Sequence, residues 1–116
     1  MRKYIVLTLA VLGVAFSGQA QEKKNKNAKL EVEVRGNCDM CKKRIEKAAF
    51  GVKGVKTANW NAENQKLYLI LDENKTDAIQ IQKAIAATGH DTKEVKSTEN
   101  DYEGLHFCCK YERDEE

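Results

Sequence analysis

Gly36-Asn37-Cys38-Asp39-Met40-Cys41-Lys42-Lys43-Arg44-Ile45-Glu46 is the stretch on which the reading of this chain turns. Before it, Leu30, Val32 and Val34 alternate with Glu31, Glu33 and Arg35, the period-2 pattern of a strand buried on one face. After it, Cys41 to Phe50 sets Ile45, Ala48 and Ala49 at helical spacing, with Lys42, Lys43, Glu46 and Lys47 pointing outward. Cys38 and Cys41 therefore stand at a strand-to-helix turn. Three residues apart in such a place, two thiols can converge on one soft metal ion or on each other.

Working outward, Gly51 and Gly54 punctuate the end of this helix. Val55 to Trp60 reads as a second strand, Asn61 to Gln65 as a polar turn, and Lys66 to Leu71 as a third strand with Leu67, Leu69 and Leu71 on one face. A second helix is opened by Asn74 or Thr76, packs Ala78, Ile81 and Ile85, and stops at Gly89. Asp91 to Lys96 is a short fourth strand. The order β-α-β-β-α-β over Lys29 to Ser97 predicts an α+β, ferredoxin-like sandwich, a four-stranded antiparallel sheet with two helices on one face. Beyond it, Ser97 to Glu103 is polar and acidic. Tyr102, Leu105, Phe107 and Tyr111 then bring apolar side chains back around Cys108-Cys109, and Glu112 to Glu116 is a solvated end.

The N-terminus reads as a secretory signal. Arg2 and Lys3 precede an apolar run from Tyr4 to Phe16, and Gly18 and Ala20 supply the small residues that a signal peptidase reads. The run is short for a membrane span, which needs roughly 20 residues. The expected organisation is a signal peptide over 1–20, a flexible leader over 21–28, one domain over 29–97, and a C-terminal extension over 98–116 that carries the cysteine pair. Export predicts a periplasmic or secreted protein of bacterial type, with no membrane anchor after cleavage. Of the 20 basic residues, Arg2 and Lys3 leave with the signal, so the remainder balances the 18 acidic ones. That balance gives no reason to expect a nucleic-acid partner.

The chemistry of the first cysteine pair follows from its place. Unpaired N–H groups and the positive end of the helix dipole stabilise negative sulfur, and thiolate is the form that binds metal. Lys42 and Lys43 add positive charge nearby. Soft thiolates select Cu(I), Zn(II) or similar ions. Two ligands leave the ion exposed and exchangeable, which suits transfer or buffering, whereas a structural zinc site wants four. Two other classes fit a chain with 4 cysteines: a thiol-disulfide exchange protein, and a small secreted interaction domain stapled by disulfides. The 0 prolines count against the thioredoxin type of exchange enzyme, which relies on a cis-proline beside its disulfide.

The chain resembles the heavy-metal-associated domains of copper chaperones, metal-exporting ATPases and periplasmic mercury-binding proteins. The resemblance covers Lys29 to Lys96. Its carriers are Cys38-Asp39-Met40-Cys41 with Arg44-Ile45-Glu46-Lys47-Ala48, then Gly54-Val55, then Ala87-Thr88-Gly89-His90-Asp91. It implies a non-enzymatic protein that binds a soft metal through Cys38 and Cys41, with Cu(I) favoured and Zn(II) or Hg(II) as alternatives. It also implies a metal-transporting ATPase or another metal-binding protein as partner, and a monomer when metal-free. Two features depart from the family pattern. Arg35-Gly36-Asn37 stands where the family usually has Gly-Met-Thr, and the Cys108-Cys109 tail lies outside the minimal domain. His90, in a loop at the same end as Cys38, is a candidate third ligand, and Met40 offers a soft sulfur inside the motif. For Cys108 and Cys109 three roles stay open: a second soft-metal site, disulfides with other cysteines, or a four-sulfur site shared with Cys38 and Cys41.

Overall fold

The structure is a computed structural model and describes residues 24–113. The expected signal peptide over 1–20 lies outside the described residues, as do positions 21–23 and 114–116. Three strands form one antiparallel sheet: β1 (Ala28–Glu33), β2 (Val55–Asn61) and β3 (Lys66–Leu71), in the order β1-β3-β2. The central strand β3 buries Leu67, Leu69 and Leu71 and turns Tyr68 outward, as its alternation requires. Helix α1 (Asp39–Phe50) buries Cys41, Ile45 and Ala49, and helix α2 (Ala78–Ala86) buries Ile81, Ile85 and Ala86. Cys41, Ile45, Ala49, Ile81 and Ile85 join Val32, Trp60 and the β3 leucines in one core. Among the described residues no helix is long and apolar enough to cross a membrane.

The expected four-stranded sheet is corrected to three strands. What was read as a fourth strand makes a single bridge, Val34 to Thr92. Arg35 N–H donates to Asp91 O at 2.9 Å and Lys93 N–H to Glu33 O at 3.0 Å, and there the ladder ends. The cause is local competition for the backbone. Thr92 Oγ1 donates toward Gln82 Oε1 (2.9 Å) and accepts from Val95 N–H (3.1 Å), while Gln82 Oε1 also takes Glu94 N–H (2.8 Å). Those bonds pull residues 92–95 into a turn. The cap of α2 also moves: Asp77 accepts Gln80 N–H at 3.0 Å, and Asn74 instead donates to Asp72 in the preceding turn at 2.9 Å.

The tail is folded. Thr98 caps a short helix, α3 (Glu99–Glu103), and a 3-10 turn follows at Phe107–Cys109. Gly89 is the hinge that seats it. Its φ is +109°, and a Cβ there would stand 2.8 Å from both the Asp101 carbonyl oxygen and Leu105 Cδ2. Gly89→Ala is expected to destabilise the fold by about 2 kcal/mol through backbone strain and overpacking. A lowered urea midpoint with an unchanged slope checks this.

Candidate metal centre

β1 leads into the site through Val34, Arg35 and Gly36. Gly36 is buried, and a Cβ on it would meet Cys41 Cβ and the Trp60 ring edge at 3.1 Å. The small residue lets the loop lie flat on the indole. Cys38 is the extended residue that precedes α1, with φ −141° and ψ −176°, and its carbonyl accepts Lys42 N–H at 3.0 Å. Cys41 falls in the first turn and is fully buried. The two sulfurs stand 3.8 Å apart.

The helix N-terminus acts on Cys38 as its position suggests. Its pKa is pulled from 9.0 down to about 7, chiefly by the Cys41 backbone N–H; burial opposes this, and hydrogen bonds from Cys108, Met40 N–H and Cys41 reinforce it. A thiol so placed is substantially ionised at neutral pH, and the thiolate is the nucleophilic form. Asn37 N–H donates to Cys41 Sγ at 3.3 Å, so the second sulfur also faces a backbone donor. Lys42 has a different task from the one expected of it. Its Nζ donates to Glu46 Oε2 (2.7 Å), Asn59 Oδ1 (2.8 Å) and Trp60 O (2.9 Å), which ties α1 to β2. Lys43 is exposed.

The tail cysteines are brought to the first pair. Cys108 Sγ lies 3.6 Å from Cys38 Sγ, and the sulfurs of Cys38, Cys108 and Cys109 all fall within 4.8 Å of one another. All four cysteines are free thiols. The Cys109 thiol is pushed up, first by burial and then by its neighbours Cys41 and Cys38; that of Cys108 is raised by its hydrogen bond to Cys38. Met40 is exposed, with its Sδ 3.9 Å from Cys108 Sγ.

His90 is placed elsewhere in the design. It is fully buried, its Nδ1 sits 2.8 Å from the Arg35 carbonyl, and its ring stacks on Tyr111 at 5.6 Å. A ring nitrogen facing a carbonyl carries the proton, which leaves Nε2 as a bare acceptor. Burial lowers the His90 pKa and keeps the ring neutral. His90 is not among the residues whose ligand atoms cluster with Cys38.

Sequence reasoning named Leu105, Phe107 and Tyr111 as apolar contacts of the tail; Leu105 and Tyr111 are buried and Phe107 is exposed, and the polar bonds of Tyr111 and Arg113 that hold the tail cysteines in place were missed. Tyr111 is buried; its hydroxyl donates to Gly89 O (2.8 Å) and accepts Asp91 N–H (2.7 Å). Arg113 pairs with Asp91 through Nε (2.9 Å) and Nη2 (2.8 Å), and Nη2 also donates to Ser97 O at 2.7 Å. Its guanidinium lies 4.8 Å from the centre of the Tyr102 ring. Apolar residues at 105 and 111 flanking a cysteine pair were the available signal that this segment packs down.

A family profile described as the heavy-metal-associated domain matches residues 31–91. No curated protein sequence matches. Solved structures do. The CopZ metallochaperone is 30% identical with a TM-score of 0.54, over 56% of this chain and 98% of that one. Oxidized MerP from Ralstonia metallidurans CH34 is 25% identical with a TM-score of 0.55, over 58% and 94%. A copper binding domain from HMA7, a P-type ATPase, is 26% identical with a TM-score of 0.54, over 56% and 89%. Cys108 and Cys109 lie beyond the residues that the family profile matches.

Proposed function

The chain belongs to the heavy-metal-associated domain family, and from that premise we propose that it is an exported metallochaperone or metal buffer that takes Cu(I) through Cys38 and Cys41. It is not an enzyme: it carries the ion and releases it by exchange of sulfur ligands. The observation that supports this reading is the convergence of two sulfurs at 3.8 Å on the first turn of α1, one of them with a pKa of about 7. A thiolate that forms without a strong base captures a soft cation at neutral pH, and the helix end offsets the negative charge of the loaded pair.

Exchange needs an incoming ligand to reach the ion. Cys38 is half-buried, and the exposed Met40 flanks it. The natural acceptor is a second domain of the same kind, such as the metal-binding domain of a transport ATPase or another soluble metal-binding protein. Residues 1–20 supply the export signal in this reading, and the mature protein works as a monomer when metal-free, in an extracytoplasmic compartment.

The test is anaerobic titration of the reduced protein with Cu(I) in the presence of a competing chelator. The native chain is expected to take up one ion. In Cys38→Ser/Cys41→Ser that uptake is expected to disappear. An unchanged stoichiometry in the double variant removes these residues as ligands and ends the proposal.

A further inference from the structure

We propose that Cys108 and Cys109 are further ligands at the same centre. With Cys38 and Cys41 they form a four-sulfur site for one divalent thiophilic cation of tetrahedral habit, the class of Zn(II) and Cd(II). The inference rests on the reading above, because it shares Cys38 and Cys41. It adds a cargo that two sulfurs alone serve poorly, since closed tetrahedral sites are built from four ligands.

The spacing supports it. Metal–sulfur bonds of about 2.3 Å in a tetrahedron set the sulfurs about 3.8 Å apart, whereas a linear pair sets them about 4.6 Å apart. Cys38 Sγ stands 3.8 Å from Cys41 Sγ and 3.6 Å from Cys108 Sγ, with Cys109 Sγ within 4.8 Å of both Cys38 and Cys108. Cys38 is thus the hub of the cluster; Cys41 touches it but stands outside the group of three, so closing a four-sulfur site requires Cys41 and the tail sulfurs to draw together around Cys38.

Construction of the tail supports it independently. A loose appendage would not bury Leu105, Cys109 and Tyr111, nor tie Arg113 to the buried Asp91. These contacts hold the 3-10 turn over the end of α1. Asn37 reinforces the seat, with its Nδ2 donating to the Cys108 carbonyl at 3.4 Å. Charge favours a divalent ion. Four thiolates leave a net −2 around a divalent cation and −3 around Cu(I), and the donors at hand are backbone N–H groups rather than cationic side chains, since Lys42 is engaged with Glu46.

The experiment titrates reduced, full-length protein with Cd(II) alone and with Cu(I) alone. Sulfur-to-cadmium charge-transfer absorption counts the thiolates, and chelator competition gives the affinity. The native chain is expected to bind one Cd(II) with the absorption of four thiolates. Cys108→Ser/Cys109→Ser is expected to halve that absorption and to weaken Cd(II) at least about 100-fold, while Cu(I) weakens by less than about 10-fold. Cys108→Ser alone replaces a half-buried thiol, leaves the tail seated, and is expected to remove about a quarter of the absorption. Two Cd(II) ions per native chain, or an unchanged Cd(II) spectrum and affinity in the tail variants, overturns the shared site. Retention of Cu(I) by Cys38→Ser/Cys41→Ser overturns the earlier reading instead, so the two failures are told apart.

Discussion

Arg113→Met is expected to cost about 3 kcal/mol of folding free energy at neutral pH, the lower end of what removing one partner of a buried ion pair costs, because the guanidinium keeps some contact with water. The carboxylate left behind is the source of the effect. Asp91 is buried, and burial works to raise its pKa; the Arg113 hydrogen bonds, the Ser97 N–H and the Arg113 charge together outweigh burial and hold it below the usual carboxylate range. A carboxylate lowered in this way contributes stability that is complete above its unfolded pKa, near about 3.9, and is lost as the pH falls through the lower folded value. In Arg113→Met the opposing burial acts with far less resistance. The gap between native and variant is therefore expected to be largest at pH 7, to shrink as the pH falls through the higher Asp91 pKa of the variant, and to stop shrinking below the lowered native value. Urea unfolding at both pH values, followed by Trp60 fluorescence, measures it. A gap that persists in acid would assign the loss to the Ser97 carbonyl bond and the Tyr102 stacking instead. The same variant loosens the segment that carries Cys108 and Cys109, so its Cd(II) affinity is expected to fall with its stability.

The elements that sequence reading placed are those in which one residue pattern decides the outcome. Leu67, Leu69 and Leu71 alternate, and Ile45 and Ala49 are spaced four apart, so β3 and α1 form where expected. The C-x-x-C pair at the mouth of α1 was equally legible, since spacing along a first helical turn fixes where two side chains point. The fourth strand failed for a reason that no propensity records. Gln82, on α2, reaches across to Thr92 and Glu94 and offers the backbone a turn in place of a ladder. Helix α3 spans only Glu99–Glu103 and has no apolar period to reveal it. Its stability is borrowed from Leu105 and Tyr111 through contacts with Gly89 that are distant in sequence. His90 could be assigned to the correct loop, but not to the interior: its burial depends on the stacking of Tyr111, and that residue belongs to the tail.

Trp60→Ala carries the second large effect, and it joins stability to the site. Trp60 is 1% exposed, and its Nε1 donates to Val34 O at 2.9 Å. Its backbone N–H donates to Glu46 Oε2 at 2.9 Å, and its carbonyl accepts Lys42 Nζ at 2.9 Å. The indole edge is the floor beneath Gly36, one loop turn from Cys38. In this chain, which has Arg35-Gly36-Asn37 ahead of the first cysteine, the indole holds that loop from below. Removing it costs about 4 kcal/mol in lost burial and residual cavity, and leaves the Val34 carbonyl without its donor. For a domain of this size that corresponds to a melting temperature lower by about 20 °C. Trp60→Phe separates the two causes, because it restores most of the apolar volume and omits the N–H; its expected cost is about 1–2 kcal/mol. A loop without its floor samples more conformations, so the sulfurs of Cys38 and Cys41 spend less time together. Cu(I) affinity is then expected to fall about 10-fold in Trp60→Ala, measured below its melting temperature, with the stoichiometry still at one. Affinity that stays constant while the melting temperature falls would show that α1 alone presets the pair, with its N–H groups aimed at Cys38, and that the indole serves only the core.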